Sequence, residues 1–333
     1  MDFRLTKEEA LFQKMCREFA LNEVEPIAAE IDAEERYPEE TVQKLMKYGL
    51  MGIQFPKEVG GSGGNYICYS IAIEEMSRVC GTTGGIMSAH GTLGAWPIYA
   101  FGTPEQKEKW LRPLVDGSKI GCYGLTEPGA GSDVQGAQTV AVEDGDDYVI
   151  TGSKVFTTNS GFADTCVLFA LTDRSVPAAK GMTAFIVDLK EMPGITVSEN
   201  IERMGIRAAS NCIVTYDKVR VPKERVLGKV GGGFKIAMKT LDGGRIGIAS
   251  QALGLAEGAI EETIKYTKER VQFGRRISQF QNTQFQLADM HAKTEAAKWL
   301  VYSAAMKKEN HEPYTVDAAM AKLVAAETAS DVT

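Results

Sequence analysis

The chain has 333 residues, 44% of them hydrophobic and 24% charged, the make-up of a globular protein large enough for two or three domains. A net charge of −7 argues against non-specific nucleic-acid binding, which needs basic surface. The apolar runs fall short of the roughly 18 residues that a membrane span needs.

Six cysteines, at 16, 68, 80, 122, 166 and 212, form no CxxC pair, and there are three histidines, at 90, 291 and 311. A disulfide scaffold or a zinc site is therefore not expected, and a reducing cytoplasm is the better setting. The opening MDFRLTKEEA carries acids and no basic-then-apolar pattern, so no signal peptide is visible.

Residues 1–118 read as helical. Thr6 and Glu9 make a capping-box pattern, followed by Leu11, Phe12, Met15, Cys16 and Phe19 at helical spacing. Further helices are expected over 39–49, 69–79 and 104–115, parted by FPKEVGGSGGN and CGTTGG. From about residue 119 the period shifts toward two. QTVAVEDGDDYVIT reads as two strands around an acidic glycine turn, and CVLFALTD, GMTAFIVDL and CIVTYDKVRVP read as three more. Such short strands suggest a compact antiparallel barrel or sandwich. Beyond VLGKVGGGF the helical period returns over 234–269, 281–308 and 316–333. The expected domains are 1–118, 119–225 and 226–333, in the order α, β, α.

The stretch YGLTEPGAGSD (123–133) breaks both periods, because glycine adds to the backbone entropy lost on ordering and proline removes a donor. It follows a strand, where loops held by a rigid scaffold often carry binding groups. Its backbone N–H groups, with the hydroxyls of Thr126 and Ser132, could bond a heteroaromatic ring or a phosphate. The plain alternative is a surface turn, and spacing alone favours it. No GxGxxG leads from a strand into a helix here, and no Gly-Lys-Ser/Thr is present. A second segment, KVFTTN (154–159), sets Phe156 beside Thr157 and Thr158. An aromatic and hydroxyls on one strand could cover a face of a planar cofactor, although an ordinary strand reads the same way.

Taken together, GLTEPGAGSDVQG, KVFTTN, LDGGRIGIASQALG and RVQFGRRISQFQ resemble the acyl-CoA dehydrogenase family, most of all its short-chain, butyryl-CoA type from anaerobic bacteria. The resemblance runs in order along essentially the whole chain. It implies an α+β fold, with an N-terminal all-α domain, a central β-barrel-like domain and a C-terminal helical bundle. It also implies FAD as cofactor, no metal, an electron-transferring flavoprotein as partner, and a homotetramer.

For individual residues the resemblance implies the following. The loop Tyr123–Ser132 holds the isoalloxazine ring, with the N–H groups of Leu125 and Thr126 at its N1/O2 edge. Phe156 and Thr158 line the opposite side, Thr158 toward N5. Ser132 contacts the pantetheine arm of CoA, and Asp242 and Arg245 contact the CoA moiety. Arg270, Phe273 and Gln281 reach the diphosphate and adenine of FAD in a neighbouring subunit, where an arginine's planar fork suits phosphate oxygens. The implied reaction removes the α proton by a glutamate and the β hydrogen as hydride, giving the trans-2-enoyl thioester, or runs in reverse.

One departure matters. The family's usual base lies in a segment after AMAKLVAAETASDVT, so the catalytic carboxylate is expected outside these 333 residues. A minority of the family place it within LDGGR, where this chain has Gly244. A flavin-binding or scaffold protein without the base is therefore the alternative to an enzyme. The three histidines lie away from every one of these motifs and are expected to be structural or exposed rather than catalytic.

Overall fold

The computed structural model describes residues 4–333. The chain divides into two compact units. One takes in residues up to Glu30, Asn65–Gly85 and Arg245–Thr333; the other takes in Ile31–Gly64 and Ile86–Gly244.

The second unit is built on eight strands: β1 Gly121–Gly124, β2 Val140–Asp144, β3 Asp147–Thr158, β4 Thr165–Leu171, β5 Met182–Asp188, β6 Ile195–Val197, β7 Asn211–Pro222 and β8 Val226–Leu227. They form one sheet in the order β6-β7-β3-β2-β4-β5-β8, with β1 paired to β4. The expected hairpin is present, Val140 facing Thr151 and Asp144 facing Asp147 across β2 and β3.

The sheet departs from the all-antiparallel expectation at two pairings: β2 meets β4 in parallel at Val140 and Leu171, and β1 runs parallel to β4 along its length, with Cys122 opposite Cys166. A parallel pair needs a long crossover. Here it is the glycine loop plus the β2–β3 hairpin, which no tight-turn signal in the sequence could reveal. Strands β4 and β5 are buried along their whole length, which is why CVLFAL and MTAFIV lack alternation. Their core holds Val167, Phe169, Leu171 and Ile186 together with Phe55, Ile98, Leu111 and Leu114.

Ahead of β1, Ala89–Ala95 is wound as a π-helix. Pro97, two residues on, cannot donate to the Leu93 carbonyl, so the i→i+4 pattern is interrupted there. Gly94 lets this segment meet β1, since a Cβ on it would lie 2.7 Å from the Gly121 carbonyl carbon. His90 braces the same contact. The Gly121 N–H donates to His90 Nδ1 at 3.0 Å, and His90 Nε2 donates to the Leu114 carbonyl at 3.0 Å.

That geometry requires a neutral ring, and burial pushes the His90 pKa down to about 4. The unfolded chain takes up a proton near pH 6.5, whereas the folded one does not until near 4. Stability from this site is therefore complete above pH 6.5 and drains away as the pH falls toward 4. An NMR titration should keep His90 neutral to below pH 5. A midpoint near its ordinary value would contradict the brace.

In the other unit, Lys7–Phe19 is capped as expected, Thr6 accepting from the Glu9 N–H and Glu9 reaching back to the Thr6 N–H. It lies with Tyr66–Val79, the later part of Gly233–Glu269, Gln281–Glu309 and Thr315–Val332. Close packing here is made by small residues. Ala297, Ala304, Ala305, Ala318, Ala321 and Ala325 are all buried, and a Cβ on Gly258 would meet the Arg78 carbonyl at 2.0 Å.

These helices also bury an ionic network. Glu74 is fully buried and accepts from Lys298 Nζ at 2.9 Å and from the Tyr302 hydroxyl at 2.7 Å. Lys298 also reaches Glu257 at 3.1 Å. Arg78 contacts Glu75, Glu257 and Glu261, and Arg17 contacts Glu75 and Glu261. Burial, then the neighbouring Glu74, pushes the Glu257 pKa up to about 7.

Among the described residues no helix is long and apolar enough to cross a membrane, and all six cysteines are free.

Candidate functional site

The glycine loop leaves β1 and turns back at once. Glu127 and Ala130 exchange N–H···O=C bonds of 3.1 Å in both directions, with Pro128 and Gly129 between them. The Glu127 carboxylate ties down the far end, accepting the N–H groups of Gln138 at 2.6 Å and Thr139 at 3.0 Å. Two successive carbonyls of the loop are held by β3: Lys154 Nζ donates to Leu125 O at 3.1 Å, and the Val155 N–H donates to Thr126 O at 2.8 Å. Lys154 Nζ also meets Glu127 Oε1 at 2.7 Å. Burial alone would raise the Glu127 pKa, but the Lys154 ammonium and the bonds from Gln138 and Thr139 hold the carboxyl below its ordinary value.

Facing the loop, β3 carries a bulge. Lys154 pairs with Val214 and Thr157 with Cys212, so β3 spends one residue more than β7 between those pairs. Phe156 takes a φ of +54° within it. The extra residue breaks the pleat. Val155, Phe156 and Thr158 all face one cleft, which strict alternation would forbid, while Thr157 is buried on the other side.

The cleft holds about 200 Å³ and is lined by Ala89 and Leu93 from the π-helix, Tyr123, Leu125, Thr126, Gly131 and Val134 from β1 and the loop, the three β3 residues, and Leu241. Tyr123 is fixed by its hydroxyl, 3.4 Å from the Ala237 carbonyl. The lining is largely apolar, with hydroxyls at Tyr123, Thr126 and Thr158, and among the described residues it includes no carboxylate.

Of the residues the sequence pointed to, Tyr123, Leu125, Thr126, Phe156 and Thr158 meet in this one cleft. Ser132 is exposed on the same loop beside Gly131, and Asp242 is half-buried next to Leu241. Arg245, Arg270, Phe273 and Gln281 belong to the other compact unit. There, Arg270 and Gln281 are exposed, and Phe273 is 94% exposed at the tip of a short hairpin.

Sequence reasoning missed Ala89, Leu93, Val134, Val155 and Leu241 as lining residues, and Lys154 and Glu127 as the pair behind the loop. Lysine two residues ahead of an exposed aromatic carries no signal of burial. The Gly-rich HGTLGAWP was the one trace of the π-helix.

Three family models match the chain. The N-terminal domain of acyl-CoA dehydrogenases matches residues 6–118, the middle domain 122–219 and the C-terminal domain 231–333. The chain belongs to the acyl-CoA dehydrogenase family. These are oxidoreductases, and the helical, sheet and helical parts described above are that family's fold.

A short-chain-specific acyl-CoA dehydrogenase of Clostridium acetobutylicum is 56% identical over 333 residues, covering 100% of this chain and 87% of that protein. The mouse mitochondrial short-chain-specific enzyme is 45% identical, covering 98% and 79%. Among solved structures, butyryl-CoA dehydrogenase from Megasphaera elsdenii superposes with a TM-score of 0.97 at 44% identity, covering 100% and 87%. A chain from a structure of the electron transferring flavoprotein of Acidaminococcus fermentans, studied for flavin-based electron bifurcation, superposes with a TM-score of 0.98 at 48% identity, covering 100% and 87%.

Proposed function

We propose that the cleft holds the isoalloxazine ring of FAD, and that the protein converts short-chain acyl-CoA thioesters to trans-2-enoyl-CoA or runs the reverse reduction. Its electron partner in this reading is an electron-transferring flavoprotein. The observation that carries the reading is the cleft itself, in which Phe156 and Thr158 of β3, joined by Val155 through the bulge, face the glycine loop.

The residues present suit a flat heteroaromatic group. Leu93, Leu125, Val155, Phe156 and Leu241 supply apolar faces, Thr126 and Thr158 supply edge donors, and the space beside Gly131 is open, a Cβ there meeting nothing within 4 Å. FAD, when bound, supplies the hydride acceptor at its N5. The protein's part is to hold and orient. The N–H groups of Leu125 and Thr126 serve the N1/O2 edge, the kind of preorganised donor that stabilises developing negative charge. The Thr158 hydroxyl serves N5, and Ser132, Asp242 and Arg245 serve the CoA portion.

The exposed hairpin with Arg270 and Phe273, and Gln281 beyond it, is read as reaching FAD of a neighbouring subunit in a homotetramer. An apolar ring left 94% exposed on its own chain supports that reading. A cytoplasmic location completes the proposal.

A second reading, a flavin-binding protein without catalysis, is favoured by one observation: among the described residues, no carboxylate lines the cleft. Gly244 does face the wall that Leu93 forms, since a Cβ on it would lie 3.2 Å from Leu93 Cδ2, but it brings no side chain. Turnover separates the readings. Supplied with butyryl-CoA and an artificial electron acceptor, the flavin-loaded enzyme should accumulate the enoyl thioester, and the scaffold should not.

A further inference from the structure

Lys154 has no exposed surface, and its partners are few and specific. Its ammonium lies 3.1 Å from Leu125 O and 2.7 Å from Glu127 Oε1. A buried ammonium is costly unless paired, and replacing such a pair by apolar residues is often neutral for stability. Tying the loop down does not by itself require it. The Val155 N–H already holds Thr126 O, and the Gln138 and Thr139 N–H groups already hold Glu127. What the ammonium adds is a charge on one particular carbonyl.

That carbonyl belongs to the peptide joining Leu125 to Thr126. In a planar trans peptide the C=O and N–H point in opposite directions. With the oxygen drawn to Lys154 in the interior, the Thr126 N–H points the other way, and both residues of this peptide line the cleft. A cation on the oxygen also withdraws electron density from the amide and makes its N–H a stronger donor, the polarisation that strengthens chained hydrogen bonds.

We infer that Lys154 is a positioning residue: its buried ammonium locks and polarises the Leu125–Thr126 peptide so that the Thr126 N–H faces the cleft as a charged-assisted donor. The inference rests on the reading of the cleft as a flavin site and deepens it. A donor of this kind favours a ligand edge that gains negative charge over one that does not. Lys154 therefore biases the site toward reduced flavin, although it touches no flavin atom itself. Glu127 opposes that bias by neutralising part of the charge, so the two members of the pair act with opposite sign.

The test uses the flavin-loaded protein and reads the two-electron reduction potential by equilibration with a reference dye at pH 6.5, alongside flavin content. In Lys154→Met/Glu127→Gln, where neither charge is left unpaired, oxidised FAD should stay bound while its potential moves negative. A shift of about 30 mV corresponds to tenfold weaker preference for the reduced form. In Glu127→Gln alone, where the ammonium remains on Leu125 O, the potential should move positive.

A purely structural pair predicts otherwise: lost stability in the single variant, and stability and parent potential together in the double variant. Parent potential in a folded, flavin-loaded double variant overturns the inference, as does an unchanged potential or a negative shift in Glu127→Gln. If the double variant does not fold, the single variant alone decides. Failure of the parent to bind FAD overturns instead the reading of the cleft.

Discussion

Lys298→Met is expected to cost about 3–5 kcal/mol of stability, the range seen when one partner of a buried ion pair is removed. Two carboxylates depend on that one ammonium: Glu74, which has no exposed surface, and Glu257, whose side chain is 11% exposed. Burial would lower the Lys298 pKa, and Glu74 and Glu257 more than reverse it, so the ammonium stays charged at every pH of interest.

Without it, the Tyr302 hydroxyl remains on Glu74 and Arg78 remains 3.3 Å from Glu257, but Arg17 and Arg78 are left to face Glu74, Glu75, Glu257 and Glu261. The folded protein must then bury a net negative charge or take up a proton. The unfolded chain ionises both groups above about pH 4.5. The loss should therefore be largest near pH 8 and shrink toward pH 5, where protonation removes the stranded charge. Chemical denaturation of parent and variant at the two pH values measures it. A loss below about 0.5 kcal/mol at pH 8, the ordinary range for surface changes, would mean the network is not held as described.

Thr158→Val is expected to leave FAD bound and to slow its reduction by acyl-CoA. Valine keeps the branched shape that β3 accepts at this position, so the bulge and the aromatic wall at Phe156 should survive. What is lost, in the proposed reading, is one hydroxyl donor to the atom that accepts the hydride. Removing a single preorganised donor of that kind costs about 2.7–4 kcal/mol, or about 10²–10³ in rate, and that is the upper bound here. Stopped-flow absorbance with butyryl-CoA under anaerobic conditions reads the step directly. Reduction at the parent rate, with flavin content unchanged, would remove Thr158 from the proposed role.

Much of this architecture was legible because local chemistry and global fold agree. The capping box at Thr6, the β2–β3 hairpin around its acidic glycine turn, and the strands CVLFALTD and GMTAFIVDL stand where propensity places them. The parallel β1–β4 pair was not legible, since its crossover is an irregular loop and a hairpin rather than a helix.

The site divides in the same way. Motif likeness marked Leu125, Thr126, Phe156 and Thr158, which do meet. The bulge that lets Val155 and Phe156 share a face depends on the partner strand β7, and no local period encodes it. Burial of Lys154 likewise arises from tertiary contacts, because KVFTTN alone reads as a strand with lysine at its edge. Leu93 and Leu241 come from helical segments far from the loop in sequence. Only folding brings them to it.

The most direct measurement is a single anaerobic addition of butyryl-CoA to the purified, flavin-loaded protein, followed by its visible spectrum. The yellow flavin is expected to bleach, and an enoyl thioester to form in step with it. Flavin that stays oxidised, at full occupancy and with excess butyryl-CoA present, would contradict the proposed function.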